Sequence, residues 1–123
     1  MANPNIVNVT SIYGSTTYLI PSNTSATTWT ALTPASNTVN KINNIVASNV
    51  TGSAATVTVA INSAAAGAGT SYDIAYQISV PANSSLIIID KTTSIYVGEA
   101  QSIVVTVGTG SAIELTSSFE ALT

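Results

Sequence analysis

The chain has no cysteine and no histidine, and only seven of its 123 side chains carry charge: Lys41, Lys91, Asp73, Asp90, Glu99, Glu114 and Glu120. Each absence closes off a class of chemistry. Without thiols there is neither a disulfide framework nor a cysteine nucleophile, and without imidazole the usual general base and the commonest transition-metal ligand are missing. The five carboxylates are scattered, spell no calcium-loop pattern, and read as solvated charges that aid solubility. A formal charge of −3 offers no positive field to a phosphate backbone, so nucleic acid is not an expected partner. The strongest apolar run, residues 86–89, is far short of the roughly 18 residues that span a bilayer, and no membrane segment is expected. Residues 1–5 show neither the basic leader nor the apolar stretch of a secretory signal, which points to synthesis in the cytosol without export. No catalytic set, cofactor or metal site is expected, and the composition reads as a structural or binding module rather than an enzyme.

What the chain does contain is alternation. Tyr72, Ile74, Tyr76, Ile78 and Val80 alternate with Asp73, Ala75, Gln77 and Ser79, the period of a half-buried strand. Val57, Val59 and Ile61 repeat the pattern, followed by Ile103, Val105 and Val107, and then by Ile113, Leu115 and Phe119. Less regular strand candidates cover residues 6–13, 16–20, 29–32, 39–48, 86–90 and 94–97. Thr51-Gly-Ser53 has the length and the glycine of a tight hairpin turn between the strands on either side. Pro81-Ala-Asn-Ser84, Asp90-Lys91 and Gly98-Glu99 mark further reversals. The Ala-rich stretch 64–69 is broken by Gly67 and Gly69 and reads as a flexible connection; it lacks the lysine and the flanking strand and helix of a phosphate loop. No segment keeps helical spacing.

About eight short strands with little helix predict an all-β domain, an antiparallel β-sandwich or jelly roll, spanning residues 1–123, with residues 1–38 as an N-terminal arm or contact region. Parity predicts a core of Val57, Val59, Ile61, Ile74, Ile78, Ile103, Val105, Ile113 and Leu115 between the sheets. It also places Tyr72, Tyr76 and Phe119 inside. Tyr13, Tyr18 and Trp29 sit among polar neighbours in the N-terminal third. They are the candidate protein-contact residues, since interfaces favour Trp and Tyr, with a cap over one end of the sandwich as the alternative. Four Asn-x-Ser/Thr acceptor patterns, at Asn8, Asn23, Asn49 and Asn83, are expected by chance in so Asn- and Thr-rich a chain.

Several motifs carry a resemblance. They are Val39-Asn-Lys-Ile-Asn-Asn-Ile45, Ala47-Ser-Asn-Val-Thr-Gly-Ser-Ala-Ala-Thr-Val-Thr-Val59, Ile78-Ser-Val-Pro-Ala82, Leu86-Ile-Ile-Ile-Asp-Lys91, Ile95-Tyr-Val-Gly-Glu99 and Ser118-Phe-Glu120. Together with the opening Asn3-Pro-Asn-Ile-Val-Asn-Val-Thr10, they resemble small virion proteins of tailed bacteriophages, including cyanophages. Gly98-Glu-Ala-Gln-Ser102 departs from the more acidic turn such proteins often carry. The resemblance implies a non-enzymatic structural protein of the virion, made in the host cytoplasm. The expected role is a capsid decoration or cement protein on the major capsid lattice, with a neck or tail accessory protein as the nearest alternative. Its partners would be copies of itself, with a trimer favoured, and the major capsid protein or another virion protein. From a different class, a carbohydrate-binding adhesin module would stack sugars on exposed aromatic rings.

Overall fold

A computed structural model describes residues 4–123; residues 1–3, including the first residue of the motif at 3–10 and part of the stretch 1–5 read for a secretory signal, lie outside the described residues. Among the described residues, nine β-segments form two antiparallel sheets. They are β1 (Ile12–Leu19), β2 (Thr27–Thr28), β3 (Val39–Asn49), β4 (Ala55–Asn62), β5 (Ser71–Val80), β6 (Ser85–Ile89), β7 (Ile95–Val97), β8 (Ser102–Val107) and β9 (Ile113–Leu122). The first sheet has the order β1-β9-β3-β6, with β7 also paired to β3; the second has the order β2-β8-β4-β5. β6 pairs with residues 45–48 of β3 and β7 with residues 40–42, so the chain runs on along one edge. Counted as one interrupted strand, that edge makes eight strands in two four-strand orders, the arrangement of a jelly roll.

This topology corrects two of the expected turns. Thr51-Gly-Ser53 joins β3 of the first sheet to β4 of the second, so it is a crossing between sheets and not a hairpin. Asn49 holds the crossing: its Nδ2 donates to Ser53 O at 2.8 Å and Val80 O at 2.9 Å, and its Oδ1 accepts from Thr51 N at 2.9 Å. At Asp90-Lys91 the chain does not reverse; a one-turn 3-10 segment, Lys91–Thr93, interrupts the edge between β6 and β7. Residues 6–13 and 16–20, expected as two strands, supply a single one, β1. The expected strand at 29–32 is instead a 3-10 turn, Thr30–Leu32. The stretch to residue 38, expected as an arm or contact region, contributes β1, β2 and this turn to the sandwich itself.

The core lies between the sheets. Val57, Val59, Ile103, Val105, Ile113 and Leu115 are fully buried as their parity requires, joined by Ile42, Ile45, Val80, Ile89 and Val97. Each such side chain taken out of water contributes about 1.5–3 kcal/mol. Ile61 and Phe119 are half-buried against this cluster. Ile74 and Ile78 are not part of it, being 37% and 40% exposed, and Tyr72 and Tyr76 are each 62% exposed.

Residues 64–69, expected to be flexible, lie in the β4–β5 hairpin loop, which folds back over the outer face of the second sheet. Ser102 Oγ donates to Ala64 O at 2.6 Å, and Thr28 Oγ1 to Ala66 O at 3.3 Å. Gly67 has φ +73°, and a Cβ there would lie 2.6 Å from Thr28 Oγ1, so both its backbone and its surroundings call for glycine. Beneath the loop, the cross-strand partners Ala60 and Val104 are buried although they face away from the main core.

Candidate functional site

The described residues enclose no pocket, and no three or more Asp or Glu side chains gather among them. What the molecule presents instead is two long edge strands. β1 borders the first sheet and β5 the second. In a jelly roll these edges stand at diagonally opposite corners, β1 across from β2 and β5 across from β6. β2 has two residues against the eight of β1, and β6 has five against the ten of β5. Both long strands are largely exposed: on β1 only Thr17 and Leu19 are partly buried, and on β5 only Ala75 is partly buried and Val80 fully so.

On β5 the exposed apolar side chains are Tyr72, Ile74, Tyr76 and Ile78; Tyr72 and Ile78 share the inner face with their partners Ile61 and Val57, and between them it is Ala75, opposite Val59, that takes that face. Two register shifts interrupt its pairing with β4, between Val57/Val59 and between Val59/Ala60, each with an additional residue on the β5 side. Gln77 takes φ +46° at the first, where its backbone N donates to Thr58 Oγ1 at 2.9 Å. Asp73 is the strand's single charge.

The three expected contact residues are not brought together. Leu19 pairs with the buried Leu115, which sets the odd residues of β1 on the inner face and the even ones on the outer. Tyr13, 66% exposed, thus lies on the inner side, and Tyr18, 78% exposed, on the outer side. Trp29 is 1% exposed. This corrects its expected place on an exposed contact surface: it closes the sandwich interior, with its backbone N donating to Ile103 O at 2.8 Å. The signal for its burial was Leu32, because side chains three residues apart eclipse in a 3-10 turn. Leu32 is buried as well.

Most of the charges have local tasks. Asp90 caps the turn Lys91–Thr93: its Oδ1 accepts from Thr92 Oγ1 at 2.6 Å, Thr92 N at 2.9 Å and Thr93 N at 3.2 Å. The side-chain bond from Thr92, helped by the backbone bonds, holds this carboxyl below its usual value. Glu99 Oε2 accepts from Asn37 N, and Glu120 Oε1 from Asn43 Nδ2, each at 3.0 Å. Lys41 stands opposite Glu120 on the outer face of the first sheet.

No protein-family model matches the chain, and no curated protein matches its sequence.

Proposed function

We propose that the chain is a structural protein of a bacteriophage particle, a decoration or cement module that binds the major capsid lattice through exposed strand surfaces. The observation that carries this reading is the pair of uncovered edge strands at opposite corners, with one charge between them. Neutral strand surfaces meet a regular shell at low desolvation cost and without like-charge repulsion. The jelly-roll arrangement recurs in viral capsid and lectin domains, a support by fold analogy, and the motif resemblance to phage virion proteins points the same way. A neck or tail position suits the same surfaces.

The experiment is co-sedimentation of the purified protein with phage capsids that lack it, followed by cryo-EM of the decorated particle. Saturable binding at lattice positions is expected, insensitive to added salt because charges are scarce. Tyr72→Asp with Tyr76→Asp should reduce it while leaving the fold intact. A second reading has its own observation: the exposed rings of Tyr72 and Tyr76 suit stacking on sugars. Glycan-array binding without capsid binding would replace the particle reading with a carbohydrate-binding one.

A further inference from the structure

Three of the four sheet edges carry the features that discourage pairing with another chain. β5 has two bulges and Asp73, the β6–β7 edge is broken by the Asp90-capped turn with Lys91, and β2 is two residues long. β1 has none of these. Its eight residues, Ile-Tyr-Gly-Ser-Thr-Thr-Tyr-Leu, include no charge and no proline. Their register with β9 is unbroken from Ile12/Leu122 to Leu19/Leu115.

The free hydrogen-bonding groups on this edge can be assigned. Thr123 N donates to Ser11 O at 3.0 Å and Ser11 N to Thr123 O at 3.2 Å, so Ser11/Thr123 is a mutually bonded pair. Antiparallel ladders alternate such pairs with unbonded ones. Tyr13, Ser15, Thr17 and Leu19 therefore bond to β9, while Ile12, Gly14, Thr16 and Tyr18 aim N–H and C=O away from it. Among the described residues, no backbone bond outside the ladders reaches residues 12–19.

We infer that β1 is a self-association edge whose occupant is β1 of a second copy, antiparallel, with the two-fold axis at Ser15. Among two-fold registers that keep inner faces together, this one engages all four free residues: Ile12 opposite the second copy's Tyr18, and Gly14 opposite its Thr16. By symmetry that makes four mutually bonded pairs. On the outer face it sets exposed Ile12 against exposed Tyr18 twice, an aromatic on β-branched contact of the kind that stabilises sheets. A one-step slip either way loses one such contact from each copy. On the inner face, the shortness of β2 leaves room for the second sandwich. No charged side chain of β1 meets a like charge.

The pairing closes at two copies, not at the three expected from the resemblance, and it does not depend on the particle reading. A capsid-binding failure would leave it standing.

The test uses the native lack of cysteine. Ser15→Cys places one thiol per chain at the axis, in an unbonded pair whose Cα atoms sit at about 4.5 Å, within the range a disulfide spans. Thr17→Cys, on the same face but opposite Tyr13, is the register control. Under mild oxidation Ser15→Cys should form a covalent dimer at least about tenfold faster than Thr17→Cys. Analytical ultracentrifugation of the parent should give a dimer at both low and high salt. Thr16→Pro removes one edge donor from each copy where a strand edge tolerates proline, and should raise the dissociation constant at least about tenfold with an unchanged circular dichroism spectrum. Should that variant misfold, Tyr18→Lys, at a highly exposed position, serves the same comparison. A monomeric or trimeric parent, equal cross-linking at 15 and 17, or a dimer indifferent to both edge variants would overturn the inference.

Discussion

Replacing Asn62 with alanine tests the idea that one amide organises the β4–β5 loop. Asn62 is buried at the end of β4. Its Oδ1 accepts from Ala64 N and Gly69 N, both at 2.9 Å, and its Nδ2 donates to Ser71 Oγ at 2.9 Å, with Gly69 O at 3.2 Å and Gly67 O at 3.3 Å also in reach. Truncation leaves two backbone donors without their acceptor. A buried donor left unpaired costs about 1–3 kcal/mol, but the loop is partly exposed and water can replace some of these bonds. The net loss should be about 2–4 kcal/mol. At roughly 3–5 °C per kcal/mol for a domain of this size, the melting temperature should fall by about 6–20 °C. Urea unfolding followed by circular dichroism measures the first quantity and a thermal scan the second. Hydrogen exchange adds a local readout: the amides of Ala64 and Gly69 should lose protection before those of β8. Ser63→Ala, which removes only the single bond from Thr70 N at 2.9 Å, should cost no more than about 1 kcal/mol. If Asn62→Ala costs as little as Ser63→Ala, the loop is held by something other than this amide and the reasoning fails.

Ile74→Asp should fold and melt within a few degrees of the parent because its side chain is open to water, whereas Ile113→Asp, at a fully buried site, should not fold, since an unpaired buried charge costs several kcal/mol; equal melting of the two would refute the face assignment. Ser117 is fully buried with its Oγ unpartnered, so Ser117→Ala should leave stability unchanged or raise it by up to about 1 kcal/mol, and a clear loss in urea titration would reveal a bonded hydroxyl. Asp90 has a folded-state pKa below its usual 3.8, so its contribution is present above that pH and fades as the pH falls through the lowered value. The gap in melting temperature between the parent and Asp90→Asn should accordingly narrow below about pH 4, and a gap that widens on acidification would contradict the capping role. Far-UV circular dichroism should be β-dominated, and a helix content near the globular average of about a third would contradict the fold.

Alternation by itself determined the all-β class, the extent of β4, β8 and β9 and most of the core, because a side-chain period of two is a local property of the extended backbone. Turn composition marked where strands end but not where the chain goes next. Thr51-Gly-Ser53 looks like a hairpin in sequence and crosses between sheets in space, since strand partners are chosen by contacts far apart in the chain. The alternation of residues 72–80 equals that of residues 55–61, yet β5 is largely exposed and β4 largely buried. The difference lies in the tertiary pairing: β4 has a paired strand on each side, whereas β5 borders its sheet and carries two bulges that turn Ala75, rather than Ile74 or Tyr76, to the inner face. Trp29 went inside and Tyr18 outside for the same reason, and the open edge of β1 became visible only once its register with β9 was known. A sequence states which residues share a face only where a strand runs without a bulge, and the bulges of β3 and β5 came from their pairing; whether a face meets water is settled by the element packed against it, which tertiary folding brings there.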